Sequence, residues 1–201
     1  MSLRDRRKRQ DRFYRRAKRE GYAARSVFKL EQLDERFGLL RAGQRVLDLG
    51  CRPGSWLQYA CKKVGPGGRV VGVDRQELDA PPPGNAAVVA CNVLEVPAQR
   101  LLELAGGGCF DVVLSDMAPD TTGIAFTDQA RSVELFLRAI ELAAELGCAG
   151  GSFVGKVFMG EGFEEALARV KSAYSRTKTF RPEATRKESS EIYVVARERK
   201  A

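Results

Sequence analysis

The sequence of 201 residues contains no histidine. This absence excludes catalysis by a Ser-His-Asp or Cys-His arrangement, together with every metal site built on imidazole. Any general base must therefore be Lys, Asp, Glu, Tyr or Cys. The sequence also lacks the roughly 20 consecutive apolar residues of a membrane span and the apolar run of a secretory signal. We therefore expect a cytoplasmic protein without a membrane partner.

Cysteines are few and dispersed, and none of them forms a CxxC pair. The five residues are Cys51, Cys61, Cys91, Cys109 and Cys148. An odd number at irregular spacing indicates neither a zinc motif nor a disulfide framework. We expect reduced thiols and no bound metal.

Positive charge is concentrated at one end of the chain. Residues 1–19 hold ten Lys and Arg against Asp5 and Asp11, which equals the net charge of +8 of the whole chain. We therefore divide the chain into a basic arm over residues 1–20 and one compact domain over residues 21–201. Such an arm suits the phosphate backbone of a nucleic acid, and a solvated tail is the alternative.

Apolar segments alternate between the period of a strand and that of a helix. The predicted strands cover residues 45–49, 69–74, 87–91, 110–114, 151–157, 177–180 and 192–196. The predicted helices cover residues 23–37 and 56–64, a segment ending near 105, a long segment ending near 146, and 161–174. Strands alternating with helices over this length indicate an α/β fold with a doubly wound, mostly parallel sheet of seven strands.

The turn after the first strand is the predicted cofactor site, because open parallel sheets bind ligands beyond the carboxyl ends of their strands. This turn contains Gly50, Gly54 and Trp56, and Asp74 follows at the end of the second strand. Glycines permit a close approach of the backbone, and an acid at this spacing can hold the two hydroxyls of a ribose. No GxGxxG or GxxxxGKS/T pattern is present, so we expect an adenosine cofactor other than a dinucleotide or a triphosphate.

Five ordered segments carry a resemblance to a known family. They are RSVFKL (25–30), LDLGCRPGSW (47–56), SDMAP (115–119), GKVFMGEGF (155–163) and RKESSEIYVVA (186–196). With these segments the chain resembles the FtsJ/RrmJ family of ribosomal RNA ribose 2′-O-methyltransferases. The resemblance implies a Rossmann-like methyltransferase fold, S-adenosylmethionine as cofactor, and a uridine of large-subunit ribosomal RNA as substrate, within the large subunit or its precursor. We expect the enzyme to act as a monomer.

The family's Lys-Asp-Lys-Glu tetrad then falls on Lys29, Asp116, Lys156 and Glu191. The resemblance implies that Asp116 faces both the cofactor and Lys156, while Lys29 and Glu191 orient the reacting groups. Lys156 is the candidate base for the ribose hydroxyl, which is a poor nucleophile until its proton is removed. The cationic cofactor and Lys29 favour a neutral amine, whereas the two acids favour the ammonium form. The sequence therefore leaves open whether Lys156 is a base or a cation that steers an alkoxide.

The resemblance also implies further contacts. Cofactor-binding residues are Gly50, Gly54, Trp56, Asp74, Asn92 and Asp116, and RNA-binding residues are Arg25 and Tyr193. Packing in the core is the alternative for Tyr193.

The chain departs from the family's pattern at several positions. The usual turn resembles GAAPGGW, but this chain has Cys51, Arg52 and Ser55, and Arg52 places a positive charge near a cationic cofactor. Asn92 replaces an acid that accepts from the adenine amino group, and its amide oxygen can accept the same bond. Ala23 stands where a basic residue is common, which transfers part of the RNA surface to the arm.

Two other functions compete with the first. The same reaction on transfer RNA or an mRNA cap would keep every site residue and change only the substrate. A catalytically silent ribosome-assembly factor would keep the fold alone, and the intact tetrad speaks against it.

Overall fold

A computed structural model describes residues 12–201 of the chain. Residues 1–11 of the predicted basic arm therefore lie outside the described residues. The helices are α1 (Arg12–Arg19), α2 (Val27–Phe37), α3 (Ser55–Val64), α4 (Ala98–Leu104), α5 (Ala125–Leu146) and α6 (Phe163–Ala173). The strands are β1 (Arg45–Leu49), β2 (Arg69–Asp74), β3 (Ala86–Ala90), β4 (Phe110–Ser115), β5 (Gly147–Phe158), β6 (Tyr174–Phe180) and β7 (Glu191–Arg199).

Across residues 12–201 the strands form one seven-stranded sheet with the order β3-β2-β1-β4-β5-β7-β6. The first five strands of this order run parallel, and β7 is antiparallel to both β5 and β6. The predicted doubly wound, mostly parallel α/β fold is confirmed. Because β7 runs against β5, its amino end reaches the edge at which the parallel strands end.

Two apolar layers cover the sheet. Residues of α4, α5 and α6 pack on one face, and residues of α1, α2 and α3 pack on the other. Strand residues are almost completely buried in β1 and β4, as expected for central parallel strands covered on both faces. The sheet therefore forms a stable platform whose carboxyl edge is free to carry a site.

Helix α1 occupies the second half of the predicted arm. Its Ala17 is buried, its Phe13 ring lies 5.6 Å from that of Phe28, and Arg16 forms a bidentate pair with Glu31. Several of its other basic side chains are exposed, Arg15, Lys18 and Arg19 among them. The helix therefore contacts the body of the protein and still presents positive charge to solvent.

Several element boundaries differ from the sequence prediction, and the starts of α2 and β5 differ most, by four residues each. Helix α2 begins at Val27 instead of residue 23, because residues 24–26 form turns that precede it. Strand β5 begins at Gly147 instead of residue 151, because a register irregularity opposite Phe110 lets pairing continue through a glycine-rich stretch. A β-bulge tolerates glycine at such a position.

The expectation of five reduced thiols is wrong. Cys109 and Cys148 form a disulfide with an S–S distance of 2.12 Å, and Cys51, Cys61 and Cys91 are free thiols. The adjacent parallel strands β4 and β5 begin side by side, with Phe110 opposite Gly147, so the two cysteines meet although 39 residues separate them. This crosslink lies at the amino ends of the strands, away from the carboxyl edge.

Candidate active site

The carboxyl edge of the sheet carries a cavity of about 370 Å³. Its walls come from the turn after β1, the end of β2, the segment after β3 and the end of β4. Four residues predicted to bind the cofactor line it, namely Gly50, Asp74, Asn92 and Asp116. The cavity therefore lies where ligands bind in open α/β sheets.

Gly50 allows two walls of the cavity to approach each other. Its φ angle is 79°, and a Cβ built on it would lie 2.8 Å from Cγ of Met117. A side chain here would therefore collide with the segment after β4 and would strain the backbone. The glycine keeps the floor of the cavity open.

Asp74 ends β2 with its carboxylate turned toward the β1 turn. Its Oδ2 accepts a hydrogen bond from the main-chain N–H of Arg52 at 3.0 Å, and its Oδ1 accepts from that of Gln76 at 3.1 Å. Each carboxylate oxygen can accept a second hydrogen bond. Asp74 is therefore held in place while it retains capacity to accept from two hydroxyl donors.

Asn92 follows β3 in a turn. Its Oδ1 accepts from the N–H of Leu94 at 3.2 Å, and its Nδ2 donates to Glu95 at 3.2 Å. These bonds orient the amide with one oxygen lone pair remaining.

The charge of Arg52 is compensated. Its guanidinium donates to Oδ1 of Asp79 at 2.9 Å. This ion pair removes the repulsion of a cationic ligand that the sequence suggested.

A surface ion pair connects two walls of the cavity. Arg75 follows β2 and Asp120 follows β4, and their two N···O distances are both 3.1 Å. Because β1 lies between these strands, the pair crosses above the carboxyl end of β1.

A buried cluster of charges borders the cavity at the ends of β4 and β5. The Lys156 ammonium lies 3.0 Å from Oδ1 of Asp116 and donates to the Asp116 carbonyl oxygen at 2.7 Å. Only 6% of the Lys156 side chain and 16% of the Asp116 side chain are exposed. Asp116 thus belongs to both the cavity and the charged cluster.

A second ion pair completes the cluster. Nζ of Lys29, on α2, lies 2.5 Å from Oε1 of Glu191, at the start of β7. Tyr193 links the two pairs, because its hydroxyl donates to Oδ1 of Asp116 at 2.6 Å and its ring lies 5.8 Å from Nζ of Lys29.

The register of the sheet explains this arrangement. In the antiparallel ladder Lys156 pairs with Tyr193, and Phe158 pairs with Glu191. Because side chains alternate between faces along a strand, Glu191 and Tyr193 share one face of β7, and Lys156 lies on the same face of β5. Helix α2 crosses this face and adds Lys29.

Burial and charge shift three pKa values in the region. Burial alone would raise the pKa of Asp116, but the charges of Lys156 and Lys29 and a hydrogen bond from Tyr193 lower it below its ordinary value. Burial and the nearby Asp116 raise the pKa of Tyr193 well above its usual range. Burial, with repulsion from Asp116 and Asp74, raises the pKa of Asp48 to about 8. Asp116 is therefore ionised at neutral pH, while Tyr193 and most of Asp48 are protonated.

Comparisons with known proteins agree with this geometry. The FtsJ-like methyltransferase family matches residues 22–199. The chain belongs to this family. A relative from Desulfatibacillum aliphaticivorans, named ribosomal RNA large subunit methyltransferase E, is 48% identical over 185 residues, which are 92% of this chain and 88% of the relative. A relative of the same name from Sorangium cellulosum is 48% identical over 96% of this chain and 90% of its own length.

A solved structure shows the same fold. The crystal structure of a ribosomal RNA methyltransferase from Plasmodium falciparum matches with a TM-score of 0.75 at 25% identity, covering 89% of this chain and 98% of that one. Within residues 12–201 of this FtsJ-like methyltransferase, no helix is long and apolar enough to cross a membrane.

The structure of this FtsJ-like methyltransferase separates the predicted residues into two groups. Lys29, Asp116, Lys156 and Glu191 lie together, as do the four residues that line the cavity. Two predicted cofactor residues lie outside the cavity wall. Gly54 precedes α3 with a φ of 106°, and Trp56 is buried with its indole N–H donating to the Ser26 carbonyl at 2.9 Å.

The two predicted RNA contacts differ in exposure. Tyr193 is completely buried, with its ring 5.9 Å from that of Trp56, so its side chain offers no surface to RNA. The predicted contact of Tyr193 with RNA is therefore wrong, and the alternative, packing of Tyr193 in the core, is what the structure shows. Arg25 is partly buried, and its guanidinium donates to the Ala184 carbonyl and lies 5.5 Å from the Phe13 ring.

Two residues near the site were missed by the sequence prediction. The guanidinium of Arg181 donates to the carbonyl oxygens of Ser189 at 2.6 Å and Glu191 at 3.1 Å, and it also reaches those of Arg186 and Lys187. It therefore holds the segment that leads into β7. The position of Arg181 in the sequence did not predict these contacts, because the acceptors are main-chain atoms.

Asp48 was recognisable in principle. It is an acid inside the otherwise apolar run of β1, it is fully buried, and neither of its carboxylate oxygens has a hydrogen-bond partner. A charged residue in a central parallel strand is uncommon enough to mark a site.

Proposed function

We propose that this chain transfers a methyl group from S-adenosylmethionine to a ribose 2′-hydroxyl of RNA, with a uridine of large-subunit ribosomal RNA as the substrate. The observation that carries the proposal is the double role of Asp116. Asp116 lines the cavity on one side and contacts Lys156 on the other. A methyl donor in the cavity and a nucleophile held at Lys156 would therefore meet at Asp116.

The residues of the cavity fit S-adenosylmethionine. Asp74 can accept from both ribose hydroxyls, and Asn92 retains an oxygen lone pair for the adenine amino group. The acids Asp74 and Asp116 favour a cationic ligand, and Arg52 is neutralised by Asp79. When bound, this cofactor supplies an electrophilic methyl group on a sulfonium.

The charged cluster positions and activates the nucleophile. An ammonium has three donors, and the Asp116 carboxylate and carbonyl occupy two of those of Lys156, which leaves one position for the ribose hydroxyl. We assign to Lys156 the acceptance of the hydroxyl proton, after its ammonium has released one proton to solvent and so has a lone pair available. Lys29 and Glu191 then orient the ribose from the opposite side.

RNA as the substrate is supported by charge and by relatives. Residues 1–19 carry a net charge of +8, and Arg15, Lys18 and Arg19 of α1 expose part of it to solvent. Both relatives described above act, by their names, on the large ribosomal subunit. We extend this substrate to this chain. We also propose a basic arm over residues 1–20, one domain over residues 21–201 and a cytoplasmic location.

A transfer assay tests the proposal. The protein is incubated with methyl-labelled S-adenosylmethionine and, separately, large ribosomal subunits, small subunits, transfer RNA or capped RNA, and the RNA is then hydrolysed with alkali. A 2′-O-methyl group blocks cleavage of the following phosphodiester, so label in alkali-resistant dinucleotides from large subunits is expected. Lys178→Ala, which changes an exposed lysine on β6, is the control for Lys156→Ala.

Each alternative has its own outcome. Label in mononucleotides would mean base methylation and would overturn the proposal. Resistant label from transfer RNA or a cap alone would keep the reaction and replace the substrate. Cofactor binding without transfer to any RNA would identify a silent factor.

A further inference from the structure

Three large apolar side chains project into solvent beside the candidate active site. They are Ile124, Phe126 and Met159, with 63%, 64% and 49% of each residue exposed. Among the described residues, the other exposed large apolar side chains, Tyr14 and Leu94, are only 41% and 42% exposed. We call these three residues the apolar rim. Their concentration on two segments separates them from the scattered apolar residues of an ordinary surface.

The rim is part of the segments that carry the charged cluster. Ile124 and Phe126 follow β4, which ends beside Asp116, and Met159 comes three residues after Lys156. The Met159 N–H donates to the Ser190 carbonyl at 3.1 Å, directly before Glu191. The rim and the charged cluster are therefore carried by the same segments of the chain.

The two segments of the rim also contact each other. A Cβ built on Gly160 would lie 2.3 Å from the Gln129 side chain, so the loop after β5 lies against the first turns of α5. Phe126 is one helical turn before Gln129 and lies on the same side of α5. The residue after Met159 therefore contacts Gln129, which lies one helical turn after Phe126.

The backbone beneath the rim is fixed before any ligand binds. Asp128 accepts hydrogen bonds from the N–H groups of Thr122 at 2.7 Å and Gly123 at 3.2 Å, and the Ile124 N–H donates to Oγ1 of Thr122 at 3.2 Å. An exposed aromatic ring on a fixed turn loses little conformational freedom when a flat partner covers it.

Exposed cations lie on the segments that carry or contact the rim. Exposed Arg131 lies on α5, and exposed Arg186 and Lys187 lie on the segment whose Ser190 accepts from Met159. Exposed acids lie on or next to the same segments, namely Glu134, Glu161, Glu164, Glu165 and Glu188, so the three cations are local contact points within a surface of mixed charge. Aromatic side chains interleaved with cations are the pattern by which proteins bind unpaired nucleotides, with bases stacked on rings and phosphates near the cations.

We propose that the apolar rim stacks against a nucleobase that flanks the target nucleotide in an unpaired RNA segment, with Phe126 as the stacking platform. This inference rests on the proposed function for the identity of the target. The rim would hold the neighbouring base so that the ribose of the target reaches Lys156.

The test measures binding instead of turnover. A fluorescein-labelled ten-nucleotide single-stranded RNA of mixed sequence is titrated with the full chain, next to an oligonucleotide of equal length and charge in which the bases are absent. We expect the wild-type protein to bind the base-bearing RNA about tenfold more tightly than the abasic one. Phe126→Ala should lose this preference while retaining its affinity for the abasic oligonucleotide.

Two matched variants separate stacking from general apolar contact. Phe126→Trp keeps an aromatic plane and should keep the preference, whereas Phe126→Leu keeps apolar volume without a plane and should behave as Phe126→Ala. S-adenosylmethionine affinity should be unchanged in all three, because Phe126 does not line the cavity.

Several results would overturn the inference. Equal affinity of the wild-type protein for the two oligonucleotides, or no binding of either, would exclude a stacking surface. If Phe126→Ala leaves oligonucleotide binding intact and weakens binding to whole ribosomal subunits, the rim contacts ribosomal protein instead. A base preference without methyl transfer to any RNA would refute the proposed function and leave the stacking surface standing.

Discussion

The two halves of the carboxyl edge are built differently. Around Asp116, Lys156 and Glu191 the side chains are buried and paired with each other. Around Asp74 and Asn92 the walls are open, and the side chains are held by main-chain groups while keeping free acceptor positions. The half around Asp116 is thus organised by contacts among its own side chains. The half around Asp74 and Asn92 keeps acceptor positions that a ligand can use. This difference predicts that mutations in the first half change turnover and that those in the second change cofactor affinity.

The largest expected effect comes from removing the amine of the buried cluster. Lys156→Ala should lower kcat by about 10³-fold, within the range for loss of a positioned proton acceptor, and should leave the Kd of the cofactor within about threefold. Single-turnover transfer and calorimetric titration measure the two quantities, with Lys178→Ala as control. Lys156→Arg keeps the charge but does not lose its proton, so full activity in that variant would make Lys156 a steering cation.

A substitution in the open half, around Asp74 and Asn92, should weaken cofactor binding and leave turnover nearly unchanged. Asp74→Ala removes two accepting oxygens, so we expect the Kd of S-adenosylmethionine to rise about 30-fold with kcat nearly unchanged at saturating cofactor. Isothermal titration gives the Kd, and Glu77→Ala, an exposed acid on the same segment, should match the wild-type protein. A fall in kcat at saturation would show that the two halves are not separable.

A buried acid beneath both halves should make stability depend on pH. Because the pKa of Asp48 is raised from 3.8 to about 8, the folded state keeps a proton that the unfolded state releases. The associated stability is fully present below about pH 4 and is lost as the pH rises toward 8, at about 1.4 kcal/mol per pH unit for one proton. Asp48→Asn should remove this slope.

Urea unfolding of the cofactor-free protein at pH 5, 6, 7 and 8 measures this slope as a difference between variant and wild type. Glu77→Gln, which changes an exposed carboxylate, should unfold in parallel with the wild-type protein. Parallel behaviour of Asp48→Asn as well would show that Asp48 is ionised in the folded state.

The smallest effect is expected at Arg52. Its charge is paired with Asp79, and only its main-chain N–H contacts Asp74, which any substitution except proline retains. Arg52→Ala should therefore change the Kd of the cofactor by less than threefold in titration. A tenfold gain in affinity would show that the arginine repels the cofactor despite its partner.

Much of the fold was predictable because the spacing of apolar residues within a strand or helix is a local property of the sequence. The strand over Arg45–Leu49 and that over Arg69–Asp74 have the boundaries that the sequence predicted, since each is a short apolar run between turn residues. The pairing of Cys109 with Cys148 was not predictable, because it depends on which strands become neighbours.

The candidate site was predictable to the extent that it depends on residue type and element ends. Asp74 was found because an acid ends the second predicted strand, whereas the resemblance assigned the tetrad of Lys29, Asp116, Lys156 and Glu191. From the sequence, burial of Tyr193 was only an alternative to RNA contact, and nothing indicated that Arg181 donates to four carbonyl groups. Both depend on the strand pairing of β7 and on main-chain atoms, which carry no sequence signature.

The antiparallel placement of β7 has a consequence for biosynthesis. Lys29, Asp116 and Lys156 are translated before β7, and β7 then inserts between β5 and β6 to bring Glu191 and Tyr193. A nascent chain that ends at β6 can join Asp116 to Lys156 but has neither the acid partner of Lys29 nor the hydroxyl that caps Asp116. The order of synthesis thus places completion of the charge network after translation of the other six strands of the sheet.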